Sequence, residues 1–356
     1  MPSSKARGLQ LPGLFAILGW PRTFNSPSVS LLAMPAIRCN DLRKTYDSRP
    51  PVEAVRGLNL AVETGECFGL LGPNGAGKTT TIEILEGLLT ATSGDVEVLG
   101  RQWGHEDDAI KQRIGISLQE TRLSEKLTVL ETITLFRSFY RQGLEPAEAL
   151  AQVSLEEKAH AWVGKLSGGQ KQRLSVACAI IGDPELLFLD EPTTGLDPQS
   201  RRELWDIIRG FRDRRRTVLL TTHYMDEAER LCDRIAIVDH GKVIALGTPR
   251  ELIATLGGEH VIEITLEANG QGAAIDPSQL ADLPSVTSAT SENGSLVLSV
   301  GEPHIVLPAL LDRLSALGGR LANLTTRHAS LEDVFVKLAG RHLDENATST
   351  APKRRQ

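Results

Sequence analysis

The chain has few cysteines and no excess of positive charge, and each shortage excludes a class of protein. Its 356 residues include Cys39, Cys67, Cys178 and Cys232, with no CxxC pair. This wide spacing argues against a zinc site or a disulfide framework and favours reduced thiols in the cytosol. The formal net charge of -6 argues against a general nucleic-acid binder, because phosphate backbones attract an excess of lysine and arginine.

The sequence also lacks a run of about 20 apolar residues, the length that crosses a bilayer as a helix. We therefore expect any membrane partner to be another chain. Hydrophobic residues make up 41% and charged residues 24% of the chain, which is ordinary for a globular protein. The length predicts two domains plus tails.

The two ends of the chain are predicted to be tails. Residues 1–35 indicate a disordered leader or a start codon assigned too early, because Met34 directly precedes the first strand-like segment. A targeting segment is the alternative. Residues 341–356 are predicted to be a flexible tail.

Residues 36–249 alternate between apolar strand-like runs and helical patterns, which predicts an α/β domain. Residues 58–62 and 95–98 resemble half-exposed antiparallel strands of a second sheet. Residues 127–140 have a helical period and lie in a predicted helical insertion at about 120–165. The runs that predict buried strands of a mostly parallel sheet are residues 68–71, 186–189, 218–221 and 235–238.

Residues 250–340 predict a small α+β domain. Apolar residues alternate with polar ones around Ile264 and Leu298, which indicates strands with one solvent-exposed face. Helices are predicted at 305–317 and 331–339, the second opened by Ser330 with Asp333 as a capping box. The polar, glycine-bearing segments that predict turns are residues 270–277 and 291–294.

A glycine-rich loop, residues 72–79, follows a predicted buried strand and precedes a helix predicted at 79–89. We call it the phosphate loop, because its N–H groups and the helix N-terminus suit a triphosphate. Lys78 is expected to reach the β- and γ-phosphates, and Thr79 to offer its hydroxyl to Mg²⁺. The predicted ATP-binding residues here are Gly72, Pro73, Asn74, Gly75, Ala76, Gly77, Lys78, Thr79 and Thr80.

Two carboxylates, Asp190 and Glu191, end a predicted buried strand, where ligands of open α/β sheets bind. Adjacent acids would repel a polyphosphate without a divalent cation, so we expect Asp190 to hold Mg²⁺ with Thr79. Glu191 is then available as general base for the attacking water. The alternative is that both acids only cap a helix.

Further candidates lie near the ends of predicted strands. Gln119 follows the strand-like residues 114–118 and is expected to contact the metal. His223 ends another strand and is a candidate γ-phosphate contact, although a lone histidine is usually a satisfied polar residue. Tyr46 is expected to stack on adenine, with an ordinary half-buried aromatic nearly as plausible.

A second glycine-rich loop, residues 166–170, lies far along the same chain. We call it the second glycine loop. It opens a predicted helix at 170–181, so its N–H groups and hydroxyl offer another γ-phosphate receptor. Two such loops indicate one ATP site assembled from two molecules. The residues of this loop are Leu166, Ser167, Gly168, Gly169 and Gln170.

These motifs in this order resemble the ATP-binding cassette (ABC) family of transporter ATPases over about residues 36–250. The resemblance implies the P-loop NTPase fold of an ABC cassette, with a mostly parallel core sheet, an antiparallel β subdomain and a helical insertion. It also implies that two cassettes pair head to tail, each closing the other's ATP, with Asp197 at the interface. The residues implied to be catalytic are Glu191, His223, Lys78 and Gln119.

Three stretches, residues 115–120, 127–132 and 330–335, resemble the daunorubicin-resistance-type exporter group. That resemblance implies a C-terminal accessory domain at 250–340 and export of a drug, antibiotic, lipid or polysaccharide through a separate permease. The chain would then bind its permease at the cytoplasmic face of the membrane, with no nucleic-acid partner. The alternatives are a soluble ABC ATPase acting on ribosomes or DNA, and a non-hydrolysing nucleotide sensor.

Overall fold

The computed structural model describes residues 34–118, 122–267, 275–292 and 294–339. Residues 1–33 of the predicted leader, Gln119 and the predicted tail lie outside these ranges. In chain order the strands are β1 (Ile37–Tyr46), β2 (Val52–Val62), β3 (Cys67–Leu71), β4 (Ser93–Val98), β5 (Ile114–Ser117), β6 (Leu186–Asp190), β7 (Thr217–Thr222), β8 (Arg234–Asp239), β9 (Lys242–Gly247), β10 (His260–Leu266), β11 (Val286–Glu292), β12 (Ser295–Val300) and β13 (Leu321–His328). The α-helices are α1 (Lys78–Leu85), α2 (Asp107–Lys111), α3 (Val129–Arg137), α4 (Pro146–Gln152), α5 (Gly168–Ile180), α6 (Pro198–Asp213), α7 (Met225–Leu231), α8 (Pro249–Ala254), α9 (Pro303–Ala316) and α10 (Leu331–Ala339).

The central sheet has the strand order β5-β6-β7-β3-β8-β9. Its strands pair in parallel except β9, which pairs antiparallel with β8. Every residue of β3, β6 and β7 is buried, because both faces of the sheet are covered. The predicted parallel, buried strands are therefore confirmed. The register pairs Asp190 with Thr221 and Leu71 with Thr222, which brings three strand ends to one edge.

A smaller antiparallel sheet, β2-β1-β4, covers one face of the central sheet. Ile37 and Val98 of this sheet share a buried cluster with Phe68 and Phe188 of the central sheet. The predicted antiparallel subdomain is confirmed by this pairing. Helix α1 contributes Ile82 to the same cluster, so the phosphate loop begins a helix that is held between the two sheets.

Helix α1 ends at Leu85, whereas the sequence predicted a helix to residue 89. Gly87 follows with a φ of 76°, a left-handed conformation that stops the helix. The N–H of Leu88 then donates to the carbonyl of Glu83 at 2.9 Å, which closes the last turn. Apolar residues continue past this point, which is why the periodicity suggested a longer helix.

Helix α3, in the predicted insertion, is also shorter than the predicted residues 127–140. Thr128 is extended, and its hydroxyl accepts the N–H of Glu131 at 3.2 Å. The Glu131 carboxylate in turn accepts the N–H of Thr128 at 2.8 Å. This capping box fixes the helix start at Val129.

The C-terminal elements form an antiparallel sheet in the order β11-β12-β10-β13. One face packs against α9, through Ile264 and Leu298 on the sheet and Leu310 on the helix. The carboxylate of Asp333 accepts the N–H and hydroxyl of Ser330, at 2.8 and 3.0 Å, at the start of α10. The bond from the N–H of Ser330 is one of the two that the predicted capping box requires.

Strands β11 and β13 were missed in the sequence, and the predicted turn at 291–294 is wrong for Ser291, which lies in β11. Both strands are edges of the sheet, and β13 is exposed along most of its length. Their Ser, Thr, Ala and Asn residues carry little apolar alternation. Strands with little burial leave no such signal for sequence reasoning.

Candidate ATP site

The phosphate loop connects β3 to α1, and two of its glycines are required by close packing. A Cβ on Gly72 would lie 2.2 Å from the carbonyl oxygen of Val238. A Cβ on Gly77 would lie 2.4 Å from the carbonyl oxygen of Ala54, and Gly77 has a φ of 101°. The backbone therefore follows a path that larger residues would block. Asn74, Gly75 and Thr79 remain exposed.

Lys78 lies inside this loop with 4% of its surface exposed. Its Nζ donates to the carbonyl oxygens of Gly72 and Pro73, at 2.8 and 3.2 Å. The same ammonium lies 3.5 Å from Oε1 of Glu191. Burial lowers the pKa of Lys78, and the charge of Glu191 opposes that shift. The two carbonyls and the carboxylate thus hold the Lys78 ammonium inside the loop. The sequence predicted that this ammonium reaches the β- and γ-phosphates.

Asp190 ends β6 beside β7, and Glu191 follows it directly. The hydroxyl of Thr221 donates to Oδ1 of Asp190 and accepts the N–H of Glu191 at 2.9 Å. Burial raises the pKa of Asp190. Glu191 has a φ of 45°, an uncommon conformation for a residue other than glycine. The strand pairing therefore fixes both acids at the sheet edge.

The carboxylate of Glu191 is surrounded by three groups. Its Oε2 lies 3.2 Å from Nδ1 of His223 and accepts the hydroxyl of Thr194 at 3.1 Å. The imidazole of His223, assisted by the charge of Lys78 and the hydroxyl of Thr194, holds the pKa of Glu191 at about 2 against the opposing effect of burial. Glu191 is therefore ionised at neutral pH, as a proton acceptor must be.

Tyr46 lies at the end of β1, beside the first turn of α1. Its hydroxyl is 3.2 Å from the hydroxyl of Thr80, and 37% of its surface is exposed. The Nζ of Lys44 lies 5.4 Å from the centre of its ring. The ring thus borders the helix that follows the phosphate loop.

The second glycine loop forms the N-terminus of α5, which begins two residues before the predicted start. The hydroxyl of Ser167 accepts the N–H of Gln170 at 3.2 Å, and the Gln170 side chain accepts the N–H of Ser167 at 3.0 Å. Leu166 and Gly169 are buried, whereas Ser167 and Gly168 are exposed. Outside the adjacent residues and the backbone of α5, no atom of the described residues lies within 4 Å of a Cβ built on Gly168. A Cβ on Gly169 would lie 2.3 Å from Oγ of Ser200.

Asp197 caps the helix α6, on which Gly169 packs. Its carboxylate accepts the N–H groups of Gln199 and Ser200, at 3.0 and 3.1 Å. It also accepts the hydroxyl of Ser200 at 2.6 Å. Within one chain, Asp197 therefore fixes the start of α6, and Ser200 connects that start to the second glycine loop.

Two family profiles match different parts of the chain. The profile of the ABC transporter family matches residues 55–194, and the C-terminal domain of DrrA1-3-like ATP-binding proteins matches residues 247–339. Nod factor export ATP-binding protein I of Burkholderia lata is 41% identical over 298 residues, which cover 82% of this chain and 93% of that protein. This chain belongs to the ABC transporter family. The linearmycin resistance ATP-binding protein LnrL of Bacillus subtilis is 36% identical over 314 residues, covering 86% of this chain and 99% of that protein.

Solved structures agree with the fold of an ABC cassette. An ATP-binding subunit of an ABC transporter is 29% identical with a TM-score of 0.56, covering 62% of this chain and 93% of that one. A dimeric ATP-binding cassette in a post-hydrolysis state, bound to ADP and Pi, is 27% identical with a TM-score of 0.55, covering 60% and 98%. The predicted fold class is confirmed, and the chain is an ATP-binding, ATP-hydrolysing member of its family.

In this ABC cassette the structure brings Lys78, Asp190, Glu191 and His223 together. Among the described residues, no hydrogen bond or ion pair joins the second glycine loop to the phosphate loop. No helix in the described ranges is long and apolar enough to cross a membrane. Gln119 lies outside the described residues, so its role stays a prediction.

Sequence reasoning missed Thr194 and Thr221, which hold the two acids in place. Threonine is common in strands and turns, so neither residue carries a signal by itself. Thr221 is recognisable once the pairing of β6 with β7 is known, because that register places it opposite Asp190.

Proposed function

We propose that this chain hydrolyses Mg²⁺-bound ATP as half of a cassette dimer and thereby drives export through a separate permease. The observation that carries the proposal is that the chain contains a cluster of buried Lys78 and Glu191 with partly buried His223, while Ser167 and Gly168 are exposed. The dimeric cassette among the structural relatives supports pairing. The names of the relatives, Nod factor export and linearmycin resistance, support export.

In this mechanism Glu191 takes a proton from the attacking water. Its carboxylate is ionised, the hydroxyl of Thr194 donates a hydrogen bond to it, and Nδ1 of His223 lies 3.2 Å from it. Lys78 moves its contacts from the loop carbonyls and Glu191 to the phosphate oxygens, which leaves Glu191 available to the water. The N–H groups and hydroxyl of the partner's second glycine loop close the site, so hydrolysis requires two chains.

The residues present fit Mg²⁺. Asp190 offers a carboxylate and Thr79 an exposed hydroxyl, and both are the oxygen ligands that Mg²⁺ prefers alongside water and phosphate. Among the described residues no group of three His, Cys, Asp or Glu side chains is placed to bind a metal by itself, which suits an ion that arrives with ATP. The ion would compensate the charge of the polyphosphate next to Asp190 and Glu191.

The partners and location follow from the same proposal. The second cassette is an identical chain or a paralogue, and the permease lies in the membrane with this chain at its cytoplasmic face. The helical insertion that includes α3 and α4, together with Gln119, passes ATP-driven closure to the permease. Such coupling needs ATP to bind the closed dimer more tightly than the open one.

The test is ATPase activity of the purified chain with a Glu191→Gln control. The amide keeps the size and one acceptor of the carboxylate but does not take a proton, so turnover should fall by at least about 100-fold. ATP binding should persist in this variant. Unchanged turnover would remove Glu191 from its assigned role, and co-purification with ribosomes or DNA instead of membranes would favour the soluble alternative.

A further inference from the structure

The imidazole of His223 is close to the general base but is not hydrogen-bonded to it. Its Nδ1 is buried and lies 3.2 Å from Oε2 of Glu191. Within the described part of the chain this nitrogen makes no hydrogen bond, although the distance is within the hydrogen-bonding range. The direction in which Nδ1 points therefore decides whether His223 bonds to Glu191.

The ring of Tyr224 packs against this imidazole. The two ring centres are 4.1 Å apart, and the ring planes are inclined at 41°. The N–H of Tyr224 donates to the hydroxyl of Thr222 at 2.9 Å, and Thr222 is buried at the end of β7. The torsion that turns a histidine ring has a broad energy minimum, so a packed neighbour selects the ring's orientation. The Tyr224 ring is in the position to do so for His223.

The Tyr224 ring is in turn covered by the guanidinium of Arg201. The central carbon of that guanidinium lies 4.3 Å from the centre of the ring, which is within the range of a cation–π interaction. Nε of Arg201 is buried and has no hydrogen-bond partner among the described residues. The aromatic ring is therefore the group on which this cation packs.

Arg201 lies in the first turn of α6, beside the second glycine loop. Its N–H donates to the carbonyl of Asp197 at 3.0 Å. The hydroxyl of the preceding residue, Ser200, donates to the Asp197 carboxylate at 2.6 Å. The same hydroxyl would lie 2.3 Å from a Cβ built on Gly169. The contacts thus run from the second glycine loop, through the start of α6, to the imidazole beside Glu191.

We propose that Tyr224 is a positioning residue that sets the orientation of the His223 imidazole, and that Arg201 holds the Tyr224 ring in place. This inference rests on the proposed hydrolysis and deepens it. A displacement of the first turn of α6 by the partner cassette shifts Arg201 and the Tyr224 ring, and so turns the imidazole relative to Glu191. Loss of these contacts slows turnover but leaves ATP binding intact, because the phosphate loop is unchanged.

The first test is the steady-state ATPase kinetics of variants of the full chain with ATP and Mg²⁺. Tyr224→Ala removes the ring, so kcat should fall about tenfold while KM for ATP stays within about threefold. Tyr224→Phe keeps the ring, so kcat should stay within about twofold of wild type. Arg201→Met removes the cation and should lower kcat about 3- to 10-fold. Arg202→Met, at the exposed neighbouring arginine, is the matched control with unchanged kcat.

A double variant shows whether Arg201 acts through Tyr224. The kcat of Arg201→Met combined with Tyr224→Ala should lie within about twofold of that of Tyr224→Ala alone, because the ring on which Arg201 acts is already missing. Losses that multiply overturn the inference, as does a Tyr224→Phe chain as slow as Tyr224→Ala. Thermal unfolding identifies the folded variants. Wild-type kcat in a folded Tyr224→Ala chain overturns the inference, and wild-type kcat in Arg201→Met does so if Tyr224→Ala does not fold.

A second measurement does not depend on hydrolysis. In NMR spectra of the full chain with labelled histidines, the signal of His223 is identified by its loss in His223→Asn. Because an aromatic ring shifts the resonances of nearby nuclei, this signal should move in Tyr224→Ala and in Arg201→Met and stay in place in Arg202→Met. An unmoved signal in Arg201→Met overturns the inference. A wild-type chain without Mg²⁺-dependent hydrolysis contradicts the proposed function itself, and the NMR signal then still tests the contacts of His223.

Discussion

The phosphate loop is packed against groups of its own chain, whereas the second glycine loop is exposed on its outer side. Gly72 and Gly77 lie against backbone carbonyls, and Lys78 occupies the loop between them. Around a Cβ built on Gly168, by contrast, the described part of the chain leaves open space. Packing among the described residues does not explain why position 168 is a glycine, which favours a ligand or partner that approaches from outside.

The largest effect should come from Lys78→Met, because the ammonium is replaced by an apolar group of similar length. We expect the dissociation constant for ATP to rise by about three orders of magnitude, ~4 kcal/mol, as charge-assisted bonds to phosphate are lost. Equilibrium binding of a fluorescent ATP analogue measures this change. Lys171→Met, in the first turn after the second glycine loop, should leave binding by the isolated chain unchanged. Equal losses in both variants would contradict the difference between the loops.

The next effect concerns Glu86, a buried carboxyl at the end of α1. Both of its oxygens lack a hydrogen-bond partner among the described residues. Burial, with the charges of Asp190 and Glu83, raises the pKa of Glu86 to about 8. Because this value is above the ordinary value of 4.5, the folded state is favoured at low pH and loses stability as the pH rises from 4.5 to 8.

Glu86→Gln should abolish this loss of stability at high pH. The loss in the free energy of unfolding should be about 3 kcal/mol after relaxation of the site. Urea unfolding at pH 5 and pH 9 gives the two free energies of unfolding. Glu157→Gln should keep the wild-type difference between the two pH values. A wild-type chain with equal stability at both would show that Glu86 finds a partner in solution.

Gly168→Ala and Gly169→Ala are a matched pair within the second glycine loop. The alanine at 168 should leave the free energy of unfolding within about 0.5 kcal/mol but reduce ATPase activity by about tenfold or more, since a hydrogen-bonding N–H at the dimer site is displaced. The alanine at 169 should destabilise the fold by about 1–3 kcal/mol through its clash with Ser200. Ser200→Gly should relieve that clash in the double variant. Stable dimers with full activity in Gly168→Ala would contradict the proposed contact of Gly168 with the partner's ATP.

The smallest effect is expected for Ser167→Ala, which removes the N-cap of α5 and should cost about 1 kcal/mol of stability. Chemical unfolding measures that cost. Ser167→Asp restores a capping acceptor, so stability should return. ATPase activity should stay low in the aspartate variant, because a carboxylate repels the γ-phosphate. Recovery of both properties together would assign Ser167 a structural role alone.

Sequence reasoning identified what depends on local spacing. Short stretches of neighbouring residues were enough to predict three features. These are the glycines and Lys78 of the phosphate loop, the two acids where β6 ends, and the core strands. It failed where distant segments meet, since nothing near Thr221 in the sequence indicates its partners Asp190 and Glu191. The cap formed by Asp197 was also missed, although Pro198 and Ser200 follow it in a pattern typical of helix starts.

Helix α10 has a consequence for how the cassette is held together. Its residues Leu331, Val334 and Phe335 lie in one buried cluster with Leu231 and Leu252, and the N–H of Leu331 donates to the carboxylate of Glu229 at 2.7 Å. One buried cluster of the cassette therefore continues past residue 249 to α10. A polypeptide cut at residue 249 would lack α10 and would leave the apolar face of α7, the helix that follows His223, exposed to water. Truncation would therefore disturb ATP hydrolysis as well as remove the C-terminal elements.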